Sequence, residues 1–175
     1  MFQVGERAPQ FTLNLVSGLP VDMKRQATVL AFLRPVTGCQ SRVAVNLLQE
    51  AWGRFDAAGM SVVGLTQAPL EFARDFVPRY HVLFPMVCDE SGEFFEAYGT
   101  TRDTGYMGTL KSLRPSSVRL AFEALNLGRA GPQLPSTQLP AFFVIATDGT
   151  VKYARYGTSI TEQPDIEALW AASAP

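Results

Sequence analysis

Histidine is nearly absent from this chain of 175 residues, where His81 stands alone, and cysteine is limited to Cys39 and Cys88. One histidine and two cysteines cannot build a Cys/His metal cluster, and two cysteines are too few for a disulfide framework. Catalysis near neutral pH is thereby narrowed to cysteine chemistry, carboxylates or lysine, and no cofactor is called for. Neither sign of charge prevails: 15 basic residues face 16 acidic ones, for a net charge of −1. Nothing therefore favours nucleic acid or an anionic membrane as a partner. Long apolar runs are missing too, and none approaches the roughly 20 residues that span a bilayer. The opening Met1–Glu6 lacks the basic-then-apolar plan of a secretory signal, so a cytoplasmic location is expected. The length suits one domain, 1–175, large enough to bury a core without staples.

What is present is an alternation of buried strands and amphipathic helices. Phe11-Thr12-Leu13-Asn14-Leu15 alternates apolar with polar, and Ser17-Gly18-Leu19-Pro20 punctuates it before Val21, which predicts an accessory strand pair with a turn. Thr28-Val29-Leu30-Ala31-Phe32-Leu33 is a continuous apolar run, the pattern of a central strand covered on both faces. From Cys39 the apolar residues Val43, Leu47, Leu48, Trp52 and Phe55 recur at helical spacing, with Gly59 as the stop. Ser61 to Thr66 reads as a second buried strand, Pro69 to Val77 as a short helix, Phe84 to Cys88 as a third strand and Gly92 to Tyr98 as another helix. Residues 100–139 break this rhythm. Val118 to Leu127 is helical in pattern and Gly128 to Leu139 is rich in glycine and proline, so the segment is read as a helical and loop insertion before the last β-hairpin. That hairpin pairs Phe142–Ile145 with Val151–Tyr156 around Asp148-Gly149, and an amphipathic helix closes the chain from Pro164 to Trp170. Strand–helix alternation of this kind indicates an α/β protein with a central sheet flanked by helices.

The order strand, turn, cysteine, helix puts Cys39 at a helix N-terminus, where the macrodipole and unpaired N–H groups favour a thiolate. Arg34 and Arg42 flank it and add positive potential, while the Thr37 hydroxyl offers a hydrogen bond. Pro140 precedes an apolar strand and removes a ladder donor there; a cis peptide presenting backbone to a neighbouring thiol is one reason for such a placement. Cys88, at the end of a predicted strand, shares the C-terminal edge of the sheet and is a candidate resolving thiol, against the plainer reading of a buried filler. His81, after Arg79-Tyr80, reads as a surface or capping residue. Asp89, Glu90 and Glu93 could be paired carboxylates, but an acidic cluster at a helix start explains them as well, and Phe94, Phe95 and Tyr98 read as core rather than as a ligand stack.

These residues resemble the peroxiredoxin and AhpC/TSA family of the thioredoxin superfamily, in particular a bacterial peroxiredoxin-like subgroup. The resemblance is carried by Gly5-Glu6-Arg7-Ala8-Pro9-Gln10-Phe11-Thr12-Leu13, by Val29 to Cys39, and by the segments Gly59–Leu65, Phe84–Asp89, Ala97–Gly99 and Phe143–Gly149. It implies a thioredoxin-like fold with a mixed sheet and a peroxidatic role for Cys39, in a pocket shaped by Pro35, Thr37 and Gly38. It further implies a peroxide substrate, an external thiol reductant, antioxidant function and association as a homodimer. Three positions differ from the usual pattern. Thr37 precedes the cysteine by two residues rather than three, and Pro140 stands where an arginine is usual, in the placement of a thioredoxin cis-proline. Arg42 occupies the last position of a Cys-x-x-Cys pair, so no local disulfide can form. Arg34 or Arg42 then has to supply the missing positive charge. Two alternatives stay open: a thiol-disulfide oxidoreductase acting on small mixed disulfides, and a non-catalytic binding module on the same scaffold.

Overall fold

In the computed structural model, which describes residues 1–36, 38–100 and 136–173 apart from the side chain of Cys39, β3 (Thr28–Leu33) is buried at every position. It is the middle of a five-stranded sheet of order β5-β4-β3-β6-β7. β4 (Ser61–Thr66) runs parallel to it and β5 (Met86–Cys88) parallel to β4. On the other side β6 (Ala141–Ile145) is antiparallel to β3, and β7 (Val151–Tyr156) antiparallel to β6. The sheet is therefore mixed. β1 (Thr12–Asn14) and β2 (Pro20–Asp22) form a separate antiparallel pair.

The helices are α1 (Cys39–Ala57), α2 (Leu70–Arg79), α3 (Glu93–Ala97) and, closing the described chain, α4 (Ile166–Ser173). Alternate residues of a strand point to opposite faces, and β3 uses both. Val29, Ala31 and Leu33 enter a core with Leu48 and Phe55 of α1, Phe76 of α2 and Leu169 of α4. Leu30 and Phe32 enter a second core with Leu13, Met23, Phe95, Tyr98 and Phe143. This is why the run 28–33 carries no polar alternation. Phe32 alone meets Phe95, Tyr98 and Phe143 with ring centroids 5.0 to 5.6 Å apart, a contact set worth on the order of 2–3 kcal/mol through burial of the ring.

Among the described residues, the expected strands and helices are recovered with small shifts at their ends. Gly59 sits just beyond α1 at φ +71°, the left-handed region that favours glycine after a helix. α2 runs through Pro78, later than expected. The proline falls in the last turn, where the helix is already ending. β5 begins at Met86 rather than Phe84. Residues 101–135, the bulk of the expected insertion, lie outside the described residues. Among the described residues no helix is long and apolar enough to cross a membrane, and no three His, Cys, Asp or Glu side chains are grouped to hold a metal.

Candidate active site

The C-terminal edge of β3 holds the predicted site. Leu33 pairs with Thr66 of β4, which in turn pairs with Cys88 of β5. On the other flank Phe32 pairs with Ala141, so Pro140 lies beside the end of β3. The chain then turns: the N–H of Gly38 donates to the carbonyl of Pro35 at 2.9 Å, and α1 begins with Cys39. Pro35 and Val36 are buried, which fixes the turn against the core.

Gly38 is the N-cap of α1, in extended conformation. Among the described residues no side chain caps the helix, and its first turn carries no acidic residue. The positive end of the helix dipole is thus left available to an anion at the start of α1, the environment that lowers a cysteine pKa. Thr37 and the Cys39 side chain fall outside the described residues. Two hydroxyls that the sequence pattern does not single out brace the turn. Ser41 Oγ donates to the carbonyl of Arg34 at 2.7 Å, and Thr66 Oγ1 donates to the same carbonyl at 3.4 Å. Both residues are buried. The signal for them was a polar residue in an otherwise apolar setting, Thr66 closing an apolar strand and Ser41 preceding the apolar face of α1.

The arginines are placed differently from each other. Arg34 directs its guanidinium at backbone, Nη1 donating to the carbonyl of Gln138 at 2.7 Å and Nη2 to that of Ser136 at 2.8 Å. It ties the active-site turn to the segment entering β6. Arg42, only 6% exposed, lies one turn into α1 and lines a cavity between α1 and α2. Arg34, Gln40, Ser41, Pro140 and Glu162 line a second small cavity next to the start of α1. Glu162 brings no unbalanced negative charge there, because Arg155 Nε donates to it at 2.6 Å and the N–H of Thr158 at 2.9 Å.

Pro140 requires a correction. Among the described residues no peptide bond is cis, so the cis geometry considered for Leu139–Pro140 is not found. The proline is buried at the first step into β6, where a missing donor is tolerated at a strand end. Its carbonyl accepts the N–H of Gly157 at 2.8 Å, closing the β6–β7 ladder.

Cys88 is a free thiol, half-buried, at the C-terminal edge as expected. Burial, reinforced by the negative charge of Glu90 and opposed by Arg74, pushes its pKa up to about 11. It is protonated at neutral pH and a poor nucleophile in the resting protein. Through Thr66 it is two strands from Leu33, roughly 10 Å at the usual strand spacing.

The remaining candidates have structural work. Asp89 accepts the N–H groups of Phe94 and Phe95 at 2.9 and 3.0 Å and so caps α3. Glu90 accepts the N–H of Leu70 at 2.9 Å at the start of α2. His81 is exposed just past α2 at φ +48°. Phe95 and Tyr98 are core.

The sheet order, the antiparallel β6 and the helix that starts from the end of β3 define a thioredoxin-like fold. The AhpC/TSA family pattern matches residues 4–154, and the chain belongs to the AhpC/TSA family. A protein named as a peroxiredoxin (bcp) in Coxiella burnetii is 25% identical over 111 residues, covering 61% of this chain and 72% of that one. The crystal structure of the peroxidoxin BcpB from Mycobacterium tuberculosis is similar in fold, with TM-score 0.67 and 19% identity over 98% of both chains. So is that of a protein described as the thiol:disulfide interchange protein DsbE from Chlorobium tepidum, with TM-score 0.66 and 18% identity over 99% of this chain and 100% of that one.

Proposed function

We propose that the protein is a thiol-dependent peroxidase in which Cys39 is the peroxidatic nucleophile. The observation that carries this reading is the position of Cys39 in an AhpC/TSA chain: first residue of α1, with no acidic residue in that turn and no side-chain cap among the described residues. The thiolate attacks the distal oxygen of the peroxide and the O–O bond breaks. Cys39 becomes a sulfenic acid, and the departing hydroxide or alkoxide takes a proton to leave as water or alcohol. Developing charge on that oxygen calls for donors and positive potential. In this reading Thr37 and the α1 N-terminus supply donors and Arg42 the charge. Arg34 acts by holding the turn, and Pro35, Gly38 and Pro140 shape the pocket.

Regeneration falls to an external thiol, because Cys88 is protonated in the resting protein and no cysteine stands at position 42. Cytoplasmic thiols are kept reduced, which suits a cytoplasmic location. A homodimer is the expected assembly, checked by sedimentation. The test of the reading is turnover of hydrogen peroxide with dithiothreitol as reductant: Cys39→Ser abolishes it and Cys88→Ser retains it. Full activity in Cys39→Ser overturns the proposal.

A further inference from the structure

Gln163 lies in the loop between β7 and α4, yet its side chain reaches the first turn of α1. Its Nε2 donates to the carbonyl of Gln40 and to that of Thr161 in its own loop, both at 3.4 Å. The loop that carries it is pinned. Glu162, mostly buried, accepts Nε of Arg155 in β7 at 2.6 Å and the N–H of Thr158 at 2.9 Å, and Pro164 is buried on the other side. The Oε1 atom of Gln163 is fully buried and has no hydrogen-bond partner in the protein. Such an acceptor lowers stability, and turning the amide over would set that oxygen against two carbonyl oxygens. An unbranched apolar side chain would fill the place without this penalty, so what an amide adds here is its N–H group and the direction in which that group points.

The carbonyl of Gln40 belongs to the peptide unit whose N–H is that of Ser41. This N–H is one of those that a helix leaves without an intrahelical partner in its first turn, directed towards the helix N-terminus. A donor at the carbonyl end of a peptide unit strengthens the N–H at its other end. The same unit is held from a second side, because Ser41 Oγ donates to the carbonyl of Arg34 at 2.7 Å. We propose that Gln163 is a positioning residue for the reaction at position 39: it fixes and polarises the Gln40–Ser41 peptide, so that the N–H of Ser41 stabilises the negative charge that arises at the start of α1. It acts through this backbone unit. The inference rests on the peroxidase reading above.

The experiment follows alkylation of Cys39 by iodoacetamide against pH, located by mass spectrometry, in Cys88→Ser protein with and without Gln163→Met. Methionine matches the length of glutamine and has neither the N–H donor nor the buried amide oxygen; Gln163→Leu serves if Gln163→Met fails to fold. The charged side chains that line the cavities beside the start of α1, those of Arg34, Arg42 and Glu162, stay in place in both variants. The alkylation midpoint rises by about half a pH unit on loss of the Gln163 amide. At a pH below both midpoints, oxidation of Cys39 by hydrogen peroxide slows by about threefold, in step with the thiolate fraction. A midpoint that is unmoved or lowered, whatever happens to Tm, assigns Gln163 to structure alone and overturns the proposal. If peroxide oxidises Cys39 of the parent no faster than free cysteine, the peroxidase reading falls, and the alkylation midpoints still decide whether Gln163 tunes the start of α1.

Discussion

The guanidinium of Arg34 donates to the carbonyl oxygen of Gln138 at 2.7 Å, joining the turn before α1 to the segment that enters β6 across 104 positions of sequence. With its second bond to Ser136, the side chain is a two-pronged clasp of the kind a planar guanidinium makes and an ammonium does not. The turn carrying Cys39 is thus held by Arg34 on the β6 flank, by Thr66 on the β4 flank and by Ser41 from the first turn of α1.

Removing the clasp loosens that edge. Arg34→Met leaves two carbonyls without their charged donor and costs about 1–3 kcal/mol in denaturant unfolding. Amide exchange accelerates around 136–140, and Cys39 oxidation slows. Arg34→Lys keeps the charge but recovers only part of the stability. Wild-type stability in Arg34→Met contradicts the clasp.

Gly157 packs against the same edge. A Cβ added there would lie 2.6 Å from the carbonyl oxygen of Pro140, so backbone has to move. Gly157→Ala destabilises the protein by about 1–3 kcal/mol, seen as a lowered Tm. An unchanged Tm shows that the β6–β7 ladder can shift without cost.

Cys88 gives the stability curve an alkaline slope. Its pKa is about 11 in the folded protein against 9.0 for the ordinary thiol. Between these values the unfolded chain loses the proton that the folded chain keeps, so stability falls as pH rises from about 9 to about 11. The contribution is fully present below pH 9. Cys88→Ser removes this part of the slope, which unfolding at several alkaline pH values reads directly. Identical slopes in both proteins contradict the assigned burial of the thiol.

Much of the fold was legible because its strands are either wholly apolar or bounded by strong turn residues. The run 28–33 announced a doubly covered strand, and Asp148-Gly149 announced its hairpin, with Gly149 at φ +88°. The helix starting at Cys39 was legible from its apolar spacing, and its end from Gly59. Less legible was anything depending on residues distant in sequence. Arg34 was read as a flanking charge, because nothing local shows that carbonyls about a hundred positions away would occupy its guanidinium. Ser41 and Thr66 went unread for a related reason: a polar residue in an apolar setting is visible in the sequence, but the carbonyl its hydroxyl will meet is not. Pro140 was located at the right edge, but its bond from Gly157 is set by the ladder, not by the dipeptide. For Asp89 and Glu90 the sequence left paired carboxylates and a helix-start cluster open; the structure puts them at the starts of two different helices, α3 and α2.

The central claim is that position 39, at the start of α1, makes its thiol a peroxide-reactive nucleophile. The direct measurement is the second-order rate of Cys39 oxidation by hydrogen peroxide in Cys88→Ser protein at neutral pH, with the sulfenic acid trapped and located by mass spectrometry. The account predicts a rate far above that of free cysteine at the same pH, with the trap on Cys39. A rate no faster than free cysteine would contradict it.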